Sequence, residues 1–184
     1  MQYDVVDLIM QDHREVERLF DELKKHPEKR PLLTPVLCGL LVAHSRAEES
    51  EVYPAARDAG GEDEVEHSQE EHAEAEQLLA KLLDTDYDSP RYEKALKDVV
   101  DSITHHVKEE EDTVLPGMRK RLSAQRRYEL GELFARSRAD HLGELPGQAT
   151  REELLVQAKN IGLEGASSMS KAQLQRELHK AAAR

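Results

Sequence analysis

Apolar positions recur at steps of three and four along most of this chain. Val6, Ile9, His13, Val16, Phe20 and Leu23 make one stripe, which predicts a helix over residues 3–25 with Asp4 as its cap. His26-Pro27 should end it, because the residue before a proline avoids the helical region. A second helix is expected over 32–57, with Val36, Leu37, Leu40, Leu41, His44 and Glu48 on its inner face, Pro54 kinking or ending the regular part, and Gly60-Gly61 closing it. The third, over 62–84, runs Val65, His72, Ala75, Leu79, Leu82. The fourth, over 90–115, runs Tyr92, Leu96, Val99, Ile103, His106, Glu110 before Pro116-Gly117 interrupts it. Here a histidine and a glutamate continue a core stripe without a break.

A fifth helix, capped by Ser123, is expected over 123–139 with Leu130, Leu133 and Phe134 inward. Gly143, Pro146 and Gly147 then mark a linker. Two short helices follow, each opened by a capping-box pattern, Thr150…Glu153 and Ser170…Gln173. The expected fold is therefore all-α: an antiparallel up-down-up-down four-helix bundle with a fifth helix and a small C-terminal helix-loop-helix module. Residues 1–140 form the bundle, 141–149 the linker and 150–184 the module, which is too short to bury much by itself.

The chain repeats itself. His44-Ser-Arg-Ala-Glu-Glu-Ser-Glu-Val-Tyr-Pro54 matches His106-Val-Lys-Glu-Glu-Glu-Asp-Thr-Val-Leu-Pro116, and the segment from His13 to Leu23 matches that from His72 to Leu82. Helical residues four apart share a face, so each His-x3-Glu presents an imidazole and a carboxylate to one point. On four inner stripes, His13, His44, Glu48, His72, His106 and Glu110 should meet in one layer. Ionised carboxylates are costly to bury unpaired, by several kcal/mol each, and no inward Lys or Arg is evident to pair them. The group therefore asks for a cation. Without one, Glu48 or Glu110 should take up a proton or the helices should open. Nitrogen and oxygen donors without thiolate suit iron, manganese or zinc, and the doubled motif suits two ions. Glu49 and Glu111 read as outer-shell or solvated residues, and His67 and His105 point away from the inner layer.

Composition narrows the classes. Few aromatics and no Trp suit helices. The net charge is −12, unevenly spread: residues 150–184 carry six basic and four acidic side chains, leaving −14 on residues 1–149. An acidic body repels phosphate backbones, which leaves the C-terminal module as the place for any nucleic-acid contact. The lone Cys38, in an apolar run, reads as a small buried hydrophobe and fits a reducing compartment. With neither a signal peptide nor a membrane-length apolar run, a cytoplasmic location is expected.

At His13, His44-x3-Glu48, His72 and His106-x3-Glu110, with the closing Tyr53-Pro54 and Leu115-Pro116, the sequence resembles the hemerythrin-like HHE cation-binding family over residues 1–140. The resemblance implies a bundle around a non-heme centre of two iron ions with carboxylate and oxo or hydroxo bridges, and O2 or H2O2 as the small-molecule ligand. Oxygen-carrying members place a further histidine four positions before the third-helix ligand, where this chain has Ser68. The closer likeness is to the branch linked with catalase-like peroxide breakdown or with redox and iron sensing, in which Tyr53 would be a redox residue or a ligand. Residues 150–184 are similar to SAP and Rho N-terminal modules, some of which bind nucleic acid, through Glu153-Leu154, Ala158-Lys159, Ile161-Gly162-Leu163, Gly165, Met169-Ser170-Lys171 and Leu174.

Overall fold

A computed structural model describes residues 3–183. The ends of the first and last expected units, residues 1, 2 and 184, lie outside the described residues. The protein is built from helices: α1 (Val5–Lys25), α2 (Arg30–Ala47), α3 (Tyr53–Asp58), α4 (Glu62–Leu83), α5 (Pro90–Asp112), α6 (Val114–Arg121), α7 (Ala124–Asp140), α8 (Arg151–Asn160) and α9 (Lys171–Ala182). Asp4, Ser89, Ser123, Thr150 and Ser170 each cap a helix by accepting a backbone N–H, and the last two form complete capping boxes. α1, α2, α4 and α5 pack in a closed circuit, each against the next and α5 back against α1. α7 lies along α1 and α2, and places the Phe134 ring edge-on to His44.

Two features depart from the expected helices. The second helix continues past Pro54 to Asp58, but its regular part ends earlier, at Ala47, where a π-helical turn, Glu48–Val52, leads into α3. The wider turn spends an extra residue, so that Glu48, Glu49, Val52 and Tyr53 are all buried. Pro54 sits where its missing N–H costs little, in the first turn of α3. The fourth helix breaks at Thr113 (φ −125°, ψ −68°), earlier than expected. Pro116-Gly117 then lie inside a separate helix, α6, with the proline in its first turn. Two stripe positions also face outward: Val36 is 49% and Leu133 36% exposed.

The apolar core is split by a polar layer. One cluster gathers Val16, Phe20, Leu23, Leu37, Leu41, Leu79, Leu96, Val99 and Ile103, the other Val6, Ile9, Val52, Val65, Leu115, Leu130 and Phe134. In α1 the chain passes from Ile9 to Val16 through His13, and in α5 and α6 from Ile103 to Val114 through His106 and Glu110. Cys38 is fully buried, and burial pushes its thiol up to about 12, so it packs and does not react.

Residues 150–183 are docked against the bundle. Leu154, Ala158, Leu174 and Leu178 form a small core with Ala149, and both α8 and α9 pack on α4. The linker is held as well: Gly147 N–H donates to Glu76 at 2.9 Å, and His141 bridges Ser137 O and Glu153 at 2.7 and 2.9 Å. Gly143 (φ +102°) and Gly147 (φ +85°) turn the chain through backbone regions that side chains disfavour.

Candidate metal centre

All six inward residues singled out by the repeat meet in the polar layer. Glu48 and Glu110 are 0% exposed, and His13, His44, His72 and His106 are buried. Two donor groups form: His13, His44, Glu48 and Glu110, and Glu48 with His72 and His106, each with its ligand atoms within 4.8 Å of one another. Glu48 belongs to both. Its Oε2 lies 3.3 Å from Nε2 of His44 and 3.3 Å from Nε2 of His72, while Oε2 of Glu110 lies 3.3 Å from Nε2 of His13.

These close contacts are not hydrogen bonds. Both oxygens of Glu48, both of Glu110 and Nε2 of His13 are buried without a hydrogen-bond partner. Such orphaned atoms normally cost about 1–3 kcal/mol each, more when charged. Their spacing has a different meaning around a cation. Metal–donor bonds of about 2.0–2.2 Å put neighbouring ligand atoms about 3.0–3.4 Å apart. The donors present therefore fit a metal ion that draws the orphaned atoms together, with nitrogen and carboxylate oxygen as its ligands.

The other ring nitrogen of every histidine is held by a carboxylate from the preceding helix of the circuit. Asp12 of α1 takes Nδ1 of His44 (3.2 Å), Glu49 takes His72 (3.2 Å), Glu71 of α4 takes His106 (2.8 Å), and Glu111 of α5 returns to His13 (2.9 Å). Each of these acids adjoins a proposed ligand in sequence: Asp12 beside His13, Glu49 beside Glu48, Glu71 beside His72, Glu111 beside Glu110. Nδ1–H then donates outward and the Nε2 lone pair faces the layer, as a metal-binding imidazole requires.

Around Glu48 the surrounding charges favour a proton on the imidazoles of His44 and His72 over one on the carboxylate. Burial would lower His44, but Glu48 and Asp12 lift it to about 10; burial would likewise lower His72, but Glu48 and Glu49 lift it to about 9. Burial would raise Glu48, yet His44 and His72 hold it well below the usual carboxylate range. Of the outcomes expected without a cation, a proton on Glu48 is disfavoured, because an imidazole beside it is the better base. The expectation that no inward Lys or Arg is present is corrected too. Arg46 is buried and pairs with Glu49 and Glu76 at 3.1 and 2.7 Å. Burial would raise Glu49, but Arg46 first, then His72 and Gln157, bring it to about 2.

Tyr53 is completely buried, with its hydroxyl 3.0 Å from Nε2 of His72, and burial together with Glu48 and Glu110 keeps the phenol well above its ordinary value. Ser68, four before His72, is buried. An apolar cavity reaches the layer between Val16, Leu41, Ile103 and Val107, bordered by His13, His44, His72 and His106.

Sequence periodicity did not bring out the outer acids Asp12 and Glu71, nor Gln69, Gln157 and Asn160. Gln69 and Gln157 donate to Oε1 and Oε2 of Glu49 at 2.9 and 2.8 Å, and Asn160 to its carbonyl at 3.0 Å. The available signal was the acid adjoining four of the six inward residues, His13, Glu48, His72 and Glu110.

A family model for the hemerythrin HHE cation binding domain matches residues 4–117. A protein named DNA nickase, from Nostoc sp., is 28% identical over 148 residues, 79% of this chain but 42% of that protein. The chain thus spans about two fifths of the length of that relative. No solved structure matches the chain.

Proposed function

Because the chain belongs to the hemerythrin HHE cation-binding family, we propose that its buried layer holds two iron ions and reacts with O2 or H2O2, with catalase-like peroxide breakdown as the leading activity. His13, His44, Glu48 and Glu110 would hold one ion, and His72 and His106 the other, with Glu48 shared. The observation that carries this reading is the four buried carboxylate oxygens of Glu48 and Glu110 that lack hydrogen-bond partners. Manganese or zinc would satisfy the same donors, but only a redox-active ion would supply electrons to oxygen or peroxide.

The chain's own residues do the rest. Asp12, Glu49, Glu71 and Glu111 fix the tautomers of the four histidines and hold their rings in place. Apolar layers on either side exclude bulk water, and the small cavity between Leu41 and Val107 borders all four histidines. The Tyr53 hydroxyl, 3.0 Å from Nε2 of His72, would serve as a redox residue or as a ligand.

A second reading, a non-enzymatic iron, oxygen or redox sensor, is supported by Gln157 and Asn160. They connect the C-terminal module to the acid that holds His72. That module would then contact protein or nucleic acid, in line with its likeness to SAP and Rho N-terminal modules and with the name of the Nostoc relative. The single buried Cys38 suits a cytoplasmic setting, and among the described residues no helix is long and apolar enough to cross a membrane.

Metal analysis of the purified protein together with an oxygen-electrode assay tests both readings. The expected result is about two irons per chain and sustained O2 release from H2O2. Consumption of peroxide once per centre, with no turnover, favours the sensor. Zinc alone, retained after iron reconstitution, removes the redox chemistry.

A further inference from the structure

The four outer acids of the circuit are not backed alike. Asp12 lies 2.7 Å from Nε of Arg138, Glu49 receives Arg46 at 3.1 Å, and Glu111 is bonded by Arg14. Each has a permanent guanidinium beside it, at Asp12 and Glu111 on the same oxygen that holds the histidine. Glu71 is the exception. Its Oε2 serves His106, while Oε1 faces two further imidazoles, Nε2 of His67 and Nε2 of His105, each at 3.7 Å.

Those imidazoles also share a second acid. Glu109 lies 2.8 Å from His67 through Oε2 and 3.3 Å from His105 through Oε1. His67 and Glu71 stand four apart on α4, His105 and Glu109 four apart on α5, so each helix offers an imidazole and a carboxylate from one face. This is the His-x3-Glu spacing of the buried layer, and α5 carries it in two neighbouring registers, one inward (His106, Glu110) and one outward. One ligand atom from each of the four residues lies within 4.8 Å of the others. Three of the four His–Glu separations, 3.3, 3.7 and 3.7 Å, are near the roughly 3.3 Å edge of a tetrahedron with metal–donor bonds of about 2.0–2.1 Å.

Burial divides the labour. The Glu71 side chain is 10% exposed and fixed by His106, whereas His67 and His105 are more than half exposed and reachable from solvent. An open groove bordered by Glu71 and Glu74 adjoins His105 and leads to it from solvent, while Asp98 and Asp101 on its far side are paired with Lys94 and Lys97.

We propose that His67, Glu71, His105 and Glu109 form a separate surface site for a first-row divalent cation such as Zn2+, standing where the other three corners of the circuit have an arginine. Two imidazoles and two carboxylates select such an ion over Mg2+ or Ca2+, which take oxygen ligands. The bound ion occupies the outward side of Glu71 while His106 keeps the inward side, so the site anchors the acid that orients an inner histidine. It does not need the buried layer to be occupied.

The test is equilibrium dialysis of the full chain against Zn2+, at physiological ionic strength and with excess Mg2+, followed by metal analysis. Wild type is compared with His67→Gln/His105→Gln and with Glu109→Gln. All three replaced side chains are at least 40% exposed, so unchanged thermal unfolding without Zn2+ checks that the variants fold. The expected result is one Zn2+ fewer per chain in the double variant and a weakened outer site in Glu109→Gln. Equal Zn2+ stoichiometry and affinity in the double variant and wild type overturn the proposal, as does binding that Mg2+ displaces as well as Zn2+ does. If the buried layer binds no ion at all, wild type still takes up one Zn2+ that the double variant loses. The surface site then stands while the di-iron reading falls.

Discussion

Gln157 of α8 donates its side-chain amide to Oε2 of Glu49 at 2.8 Å, and the opposite oxygen of Glu49 lies 3.2 Å from Nδ1 of His72. A residue of the C-terminal module is therefore one carboxylate away from a proposed metal ligand. Both partners are buried, so the link is short, dry and direct. The module is more than an appendage to the bundle: it completes the surroundings of His72.

A chain ending at Gly147 should consequently be less stable than the full chain, even though all six inward residues precede that point. It loses two hydrogen bonds to Glu49 and uncovers the face of α4. A buried hydrogen bond to a charged group contributes about 1.5–3 kcal/mol, so a loss of at least about 2 kcal/mol is expected in urea unfolding. An unchanged midpoint would mean that the docked module contributes nothing to the bundle. Gln157→Ala in the full chain should show part of the same loss.

Removing an inner and an outer acid should have unequal effects. Glu110→Ala deletes an orphaned carboxylate of the centre and should abolish ion binding in its donor group. Glu111→Ala deletes only the partner of His13 Nδ1, and should weaken binding by about 10–100-fold, the usual scale for such partners. Competition with a chelator measures both. Equal affinity in Glu110→Ala and wild type would remove Glu110 from the centre.

Ion binding should stabilise the fold, because the unfolded chain has no such site. A free ion at about one hundred times its dissociation constant adds about 2.7 kcal/mol, which should be visible as a rise in melting temperature. The part of the rise that comes from the buried layer should be lost in Glu48→Ala, since Glu48 serves both donor groups.

The bond between His141 and Glu153 ties the end of α7 to the cap of α8, and it titrates. Burial would lower His141, but the Ser137 carbonyl and Glu153 outweigh it and raise the histidine above its ordinary 6.5. Burial would raise Glu153, but the Thr150 backbone and hydroxyl and His141 bring it below 4.5. The histidine's share of stability is full below pH 6.5 and fades as pH climbs through its raised value. The glutamate's share is full above pH 4.5 and fades as pH falls through its lowered value. Stability of the docked module, read by proteolysis between Gly143 and Gly147, should therefore be greatest between those limits. His141→Gln should remove the loss on the alkaline side.

The sequence by itself determined the helices and the inner layer. A period near 3.6 is local, so His13, His44, Glu48, His72, His106 and Glu110 could be assigned to inner stripes from their spacing to Ile9, Leu41, Leu79 and Ile103. Four buried stripes on four helices leave one way to meet, with the polar residues in a common layer. Only the tertiary structure decided what surrounds that layer. Asp12, Glu49, Glu71 and Glu111 each act on a histidine of another helix, and the axial register between helices is set by packing rather than by any local signal. The π turn at Glu48–Val52 lay outside a 3.6-residue reading, and with it the burial of Glu49 and Tyr53 together. The seating of Gln157 and Asn160 against Glu49 spans more than a hundred residues of chain. In the sequence they are two polar residues on a short capped helix, and only docking gives them buried partners.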